Sequence, residues 1–340
     1  MESLRPFDGG IKGRRRAARA AAALALCAAG WAAWLPAARA ESSWPAKPVR
    51  VVAPFSTGGT ADILARIVAH QLTKQLGQSF VVENRPGAGA TIGAAEVARS
   101  PADGYTLLVI TPTFSITQFV YPSLPYDGRK DFVPVGLVMT TPLVLVVNPA
   151  SGMRTAGDFI RAAKASPGKV SFSSAGVGST PHLGFELLEQ SAGIELLHVP
   201  FKGGGEAINA VLGGTTNAYF AAPIEVGEML KAGRLTALGA TSLRRTELLS
   251  DLPTLAESGV PGFEVVHYTA IMVRAGTPPD IVAKLSENLV RALRNPEVRE
   301  KISQNGGEVP AGTMEEAKDL FAREYPRWSH VVKAAGIKPE

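Results

Sequence analysis

Among its 340 residues the chain has one cysteine, Cys27, and five histidines. A single thiol gives no disulfide framework and no cysteine-rich zinc or iron–sulfur site. The histidines, His70, His182, His198, His267 and His330, show no pair at metal-ligand spacing, so neither a metal nor a cofactor is expected. Past residue 40 there is no apolar run of bilayer-spanning length, no low-complexity tract and no evident repeat. An excess of one charge is missing too. Residues 1–40 hold seven of the 35 Lys and Arg and two of the 30 Asp and Glu, which leaves 28 of each sign in the remainder. The basic balance belongs to the N-terminus, and no positive field remains to attract nucleic acid or an acidic membrane.

That N-terminus has the layout of an export signal. Arg14, Arg15, Arg16 and Arg19 precede an Ala/Leu-rich run reaching Leu35, and Ala38-Arg39-Ala40 puts small residues where a signal peptidase reads them. Cleavage is expected after Ala40, which places the mature chain in the periplasm and removes Cys27. An uncleaved anchor fits less well, because Pro36 interrupts the run just before the cleavage site. A lipoprotein fits least, because bulky Leu26 precedes Cys27. The remaining length is enough to bury a large core without disulfides.

From Val49 onward, short apolar runs alternate with helical periodicity. Strands are predicted at 49–55, 80–84, 105–111, 135–148, 170–175, 196–201, 216–222, 235–241 and 265–274. Helices are predicted at 60–76, 91–99, 155–165, 180–191, 205–212, 224–232, 279–294, 296–304 and 313–334. Strands spaced by helices predict an α/β fold with mainly parallel sheets. Two runs, Val135–Pro149 and Phe263–Gly276, exceed an ordinary strand and read as long strands passing from one sheet to another. One lobe would then combine residues 44–144 with 267–340, the other would span 145–266, and a ligand cleft would lie between them.

Two glycine turns stand out. In the first, Phe55 ends an apolar run, and Ser56, Thr57, Gly58, Gly59 and Thr60 lead into a helix carrying Ile63, Leu64, Ile67, Val68 and Leu72. In the second, Ser173, Ser174, Ala175, Gly176, Gly178, Ser179 and Thr180 stand between an apolar run and a helix with Leu183, Leu187 and Leu188. Such junctions bare N–H groups at the positive end of a helix dipole, which suits an anion. The first lacks the Lys of a Walker phosphate loop, so a carboxylate fits better than a nucleotide. Two such turns on different lobes could clasp one anion. Each is also an ordinary turn whose glycines serve geometry alone.

Other motifs carry less. Gly87-Ala88-Gly89 with Gly93 imitates a dinucleotide fingerprint, but the spacing is too long and no acid follows about 20 residues on. The stretch reads as a loop bringing Asn84 and Arg85 to the cleft rim, with a surface ion pair the plain alternative for Arg85. Lys202 beside Gly203–Gly205 matches no phosphate loop and reads as a turn into the next helix. Ser179 lacks the glycine–x–serine–x–glycine elbow of a hydrolase, and His182 one helical turn on is better explained by capping and packing. An exported serine hydrolase built on these two residues is the enzyme alternative.

Taken together, WPAKPVRVVAPFSTGGTAD, ENRPGAGATIGA, SPADGYTLL, YDGRKDFVPV, HVPFKGGGEA, LPTLAESGVPGFE and GTPPDIV resemble, in this order, the Bug extracytoplasmic solute receptors. These are the binding proteins of tripartite tricarboxylate transporters, and the resemblance covers nearly the whole chain beyond the signal. It implies a type II periplasmic binding fold of two α/β lobes joined by crossing strands. It implies a monomeric receptor, not an enzyme, that closes on a small carboxylate and docks on integral membrane transporter subunits. It also implies a first carboxylate cradle at Phe55–Thr60 and a second at Ser174–Thr180. Asp62 would brace the first helix, and Asn84, Arg85 and Thr111 would line the first lobe's side.

The chain departs from that pattern in three places. Ala221, within Tyr219-Phe220-Ala221-Ala222-Pro223, stands where many members carry an acid. Asn217 stands where Asp is frequent, and Tyr268 where Trp is common. Without the acid, a ligand ammonium would be buried uncompensated. A carboxylate with a neutral or apolar body, aromatic ones included, is therefore expected against Phe55, Phe220 and Tyr268. A sensory co-receptor handing the same ligand to a membrane kinase is the alternative left open.

Overall fold

Two five-stranded sheets carry the fold of this computed structural model, which describes residues 44–336 apart from 122 and 305. The expected export signal and cleavage site lie outside the described residues. The strands are β1 (Val49–Ala53), β2 (Phe80–Asn84), β3 (Thr106–Ile110), β4 (Phe132–Pro142), β5 (Val144–Val147), β6 (Ser171–Ser174), β7 (Leu197–Pro200), β8 (Ala218–Ala221), β9 (Thr236–Ala240) and β10 (Val266–Arg274). The helices are α1 (Thr60–Leu76), α2 (Thr91–Arg99), α3 (Pro112–Val120), α4 (Ala156–Ala165), α5 (Thr180–Ala192), α6 (Gly204–Leu212), α7 (Pro223–Lys231), α8 (Pro279–Arg294), α9 (Pro296–Ser303) and α10 (Met314–Ala335).

The first sheet has the order β2-β1-β3-β10-β4 and the second β7-β6-β8-β5-β9. Both faces of each are covered, which is why their strands read as nearly continuous apolar runs. In β1, Val49, Val51 and Ala53 pack with Leu64, Val68 and Leu72 of α1 and Leu285 and Leu289 of α8, while Val52 packs with α2 and α3 on the other face. In the second sheet, Phe172 and Phe220 meet Phe159 of α4 and Phe185 of α5. Tyr219 and Ala221 face Ile208 of α6 and Val226 of α7. Local signals set the helix ends. Gly77 takes the left-handed conformation at φ 70° and donates to Thr73 O, and Thr155 with Asp158 closes a capping box on α4.

Three differences from the sequence reading have physical causes. The run predicted as one strand over 135–148 is two, β4 in the first sheet and β5 in the second, divided at Leu143, whose N–H donates to Thr241 Oγ1 at 2.8 Å. The return run does not divide: β10 lies wholly in the first sheet. The sheets are also less parallel than expected. β1 pairs parallel with β2 and β3, and β6 with β7 and β8, but β10 and β5 run antiparallel to both of their neighbours. Finally, α3 was not predicted. Seven of its nine residues are buried, so it has no polar face to betray a helical period.

Candidate functional site

The first glycine turn is held from behind. Gly58 has φ 86°, a conformation open to glycine and strained for other residues. Asp62 accepts the Gly58 N–H through Oδ2 at 3.0 Å and the Asn84 side-chain amide through Oδ1 at 3.0 Å, and Arg66 pairs with it at 2.8 Å. Asn84 Nδ2 also donates to Phe55 O at 3.0 Å. Burial acts to raise the Asp62 pKa, but Arg66, the Gly58 N–H and Asn84 outweigh it and hold the carboxyl below its ordinary range. Asp62 and Asn84 therefore spend their polar atoms on the turn itself.

From the front, the turn meets Gly203-Gly204-Gly205 of the second lobe. A Cβ on Gly205 would strike Thr57 O, and one on Gly203 would strike Ser56. On Gly204 it would lie 2.6 Å from Glu225 Oε1 and 3.0 Å from Tyr219 Oη. The triple glycine is thus a surface of close backbone approach between lobes, a role its sequence reading as a simple turn did not include. A second such contact brings Gly89 against Val177 O and Gly176.

Beside these contacts lies a cavity of about 30 Å³, room for about two waters. The first lobe lines it with Phe55, Gly59, Thr60, Thr111, Thr113 and His267. The second contributes Ala175, Pro181, Gly204, Tyr219, Phe220 and Glu225. Glu225 is half-buried as a residue, but its carboxylate end is enclosed. Oε1 accepts the Thr60 N–H, the leading donor of α1, at 2.7 Å. Oε2 accepts the Ala222 N–H at the start of α7 at 3.0 Å. One carboxylate thus serves the N-termini of two helices from two lobes, where their dipoles favour negative charge. Burial nevertheless pushes its pKa above the ordinary value, opposed by those N–H donors. His267 lines the same cavity. Neither ring nitrogen has a hydrogen-bond partner, and burial lowers its pKa to about 4, which leaves it neutral at pH 7.

The second glycine turn is satisfied mostly from within. Ser174 Oγ bonds His198 Nε2 at 2.6 Å and accepts the Gly176 N–H at 3.1 Å. Ser179 Oγ caps α5 by accepting the His182 N–H at 3.4 Å, and His182 Nδ1 accepts the Gly178 N–H at 3.1 Å. The Thr180 N–H crosses to Thr113 Oγ1 of the first lobe at 3.3 Å. Ser179 and the His182 ring therefore each bond backbone and not one another, so the nucleophile–base contact that a hydrolase needs is not made.

Of the residues singled out from sequence, Phe55, Gly59, Thr60, Thr111 and Ala175 come together at the cavity. Ser56, Thr57 and Gly58 all approach the triple glycine. Arg85 pairs with Glu83 at 3.0 Å and Glu96 at 3.2 Å in a half-exposed cluster, so the ion-pair alternative describes it. Ala221 sits in the core around Val144 and Val226. Tyr268 faces away: its ring packs near Phe321 and its hydroxyl lies 3.3 Å from Ser115 Oγ. Strand alternation is the reason, since the residue before Tyr268 is His267, and one step along β10 changes the face. The premise that the cleft lacks an acid fails too, because Glu225 enters it from α7. Sequence reasoning missed Thr113, Gly204, Tyr219, Glu225 and His267. For Glu225 a signal was present, a Glu three residues past Ala222 just after Pro223, the pattern of a capped helix start.

Comparison with known proteins places these features in context. The family model for the tripartite tricarboxylate transporter family receptor matches residues 64–337. Protein BugT of Bordetella pertussis is 36% identical over 298 residues, covering 87% of this chain and 91% of that protein. The structure of R. palustris Rpa4515 with adipate superposes with a TM-score of 0.84 at 34% identity, over 87% of this chain and all of that one. MatC (Rpa3494) from Rhodopseudomonas palustris with bound malate gives a TM-score of 0.81 at 31% identity, over 85% of this chain and all of that one.

Proposed function

We propose, from the premise that this chain belongs to the tripartite tricarboxylate transporter receptor family, that it captures a small carboxylate between its lobes and presents it to a membrane transporter. The observation that carries this reading is the Glu225 carboxylate. Two helix N-termini from opposite lobes already converge on a carboxylate at the cavity, and the other lining groups are neutral. Relatives of similar fold hold adipate and malate, both carboxylates.

The cavity is too small for such a ligand as it stands, so capture proceeds through opening of the cleft and closure on the ligand. The moving bodies are residues 44–144 with 267–340, and 145–266. They hinge where the chain crosses at Leu143 and Val265, both of which bond Thr241. The chain is exported, loses residues 1–40 by cleavage after Ala40, works in the periplasm as a monomer and catalyses no reaction.

The test is the unfolding temperature of the mature chain against carboxylates, amino acids, sugars and nucleotides, since a ligand that binds only the native state must raise it. Shifts confined to molecules carrying a carboxylate support the reading. A silent carboxylate set with a shift from a sugar or nucleotide overturns it.

A further inference from the structure

His267 is 6% exposed, faces the cavity and has two unpartnered ring nitrogens. A neutral imidazole presents one N–H donor and one lone pair, and leaving both unmet in a buried site is costly. Glu225 brings the complementary imbalance. Its oxygens receive the two backbone N–H groups and the Thr60 hydroxyl, some lone-pair capacity is left over, and no cation is among the groups that act on it. The remaining titratable group lining the cavity is Tyr219, whose hydroxyl burial keeps protonated. The cavity therefore holds one unspent N–H donor and one carboxylate with acceptor capacity left.

We propose that His267 and Glu225 set the specificity of the cleft: His267 donates to the ligand carboxylate, and Glu225 accepts from a hydroxyl or ammonium on the same ligand. A carboxylate bearing its own donor is then preferred over a plain one of the same skeleton. This inference rests on the receptor reading above and reverses the expectation drawn from Ala221, because the acid absent there is supplied from α7. A plain dicarboxylate would set a second carboxylate beside Glu225, and one of the two would first have to take up a proton from solution, which weakens its binding. A hydroxyl places a proton there, and an ammonium adds a compensating charge. At the other end, a carboxylate arriving beside a neutral imidazole favours its protonated form, so binding draws a proton from solution.

The experiment is calorimetry on the mature chain with matched sets that differ only in H, OH or NH3+ at one carbon: propionate, lactate and alanine; succinate, malate and aspartate; adipate and its 2-hydroxy and 2-amino forms. The substituted member of the binding set is expected to bind at least about tenfold more tightly than the plain one. Glu225→Gln should erase most of that preference. His267→Phe should weaken every member by about tenfold or more, whereas His267→Gln, which keeps an N–H donor, should restore most of the affinity. Buffers of different ionisation heat should report proton uptake in the native chain and none in His267→Gln. Unliganded melting curves of each variant separate lost binding from lost folding. Equal affinity for plain and substituted members, or undiminished affinity in folded His267→Phe, overturns the assignment while leaving a carboxylate receptor intact. Absence of binding by every set, with a shift from a non-carboxylate, removes the receptor reading itself.

Discussion

The two glycine turns are alike in sequence and unlike in use. At Phe55–Thr60 the bracing comes from outside the turn, from Asp62 and Asn84, so the leading N–H of α1 stays free to point inward and finds Glu225 across the cleft. At Ser174–Thr180 the acceptors are built in. Ser174, Ser179 and His182 take up the N–H groups of Gly176, His182 and Gly178, and Thr113 takes that of Thr180. A helix N–H can serve a ligand only where nothing nearer satisfies it: serine and histidine take up three N–H groups of the second turn, and its Thr180 N–H crosses to the first lobe.

This contrast can be broken most strongly at the surface on which the first turn closes. Gly205→Val places a side chain on Thr57 O, so the closed form should become rare. If it falls to about 1% of molecules, apparent affinity drops about 100-fold. Calorimetry for affinity and small-angle scattering for closure check this, with the unliganded melting temperature as the folding control.

Next in size is Thr60→Pro. Proline is tolerated at the first helical position, so α1 should persist, but the N–H held by Glu225 disappears. Ligand affinity should fall about tenfold with little loss of stability. The matched change in the second turn, Ser179→Ala, should behave oppositely. It removes the cap of α5, lowering stability by about 1 kcal/mol in urea unfolding while leaving affinity nearly unchanged. Equal effects of the two variants on binding would dissolve the contrast.

The smallest effect separates the two turns by pH. Burial lowers His267 to about 4, and burial followed by neighbouring His182 lowers His198 to about 3. Both lie below the ordinary 6.5, so the unfolded chain takes up protons first. Their contribution is complete above pH 6.5 and is lost as pH falls from 6.5 towards 4 and 3. Glu189 runs the other way: burial raises it to about 7, so its contribution is complete below 4.5 and is lost as pH rises through 7. Urea midpoints between pH 7 and 4 should fall. His267→Gln should flatten that slope, and His198→Gln should flatten it further towards pH 3.

Much of the architecture was legible because its signals are local. Helix ends are set by Gly77, by Thr155 with Asp158 and by Thr313 with Glu316, all within a few bonds of the groups they satisfy. α3 was not legible, because burial on nearly all sides leaves no period to read. In the site, Phe55, Gly59, Thr60 and Ala175 could be named because they stand at predicted strand–helix junctions, and Thr111 only through the family resemblance. His267 could not, as a single polar residue inside an apolar strand looks like any tolerated core histidine. Nor could the fate of Arg85, since its partners Glu83 and Glu96 meet it only where β2 and α2 pack.

By itself the sequence determined where most strands and helices lie, where the backbone must turn through glycine, and that beyond residue 40 the two charge signs balance. Those outcomes rest on hydrogen bonds and burial periods spanning a handful of residues. Only the tertiary structure decided which turn faces the cavity and which acid enters it. Thr60 and Glu225 stand 165 residues apart and meet because two separately formed sheets close on each other. His267 and Tyr268 are adjacent, and the pleat of β10 sends one to the ligand cavity and the other to the core. Pairings across that distance depend on sheet order and register, which no local pattern of residues records.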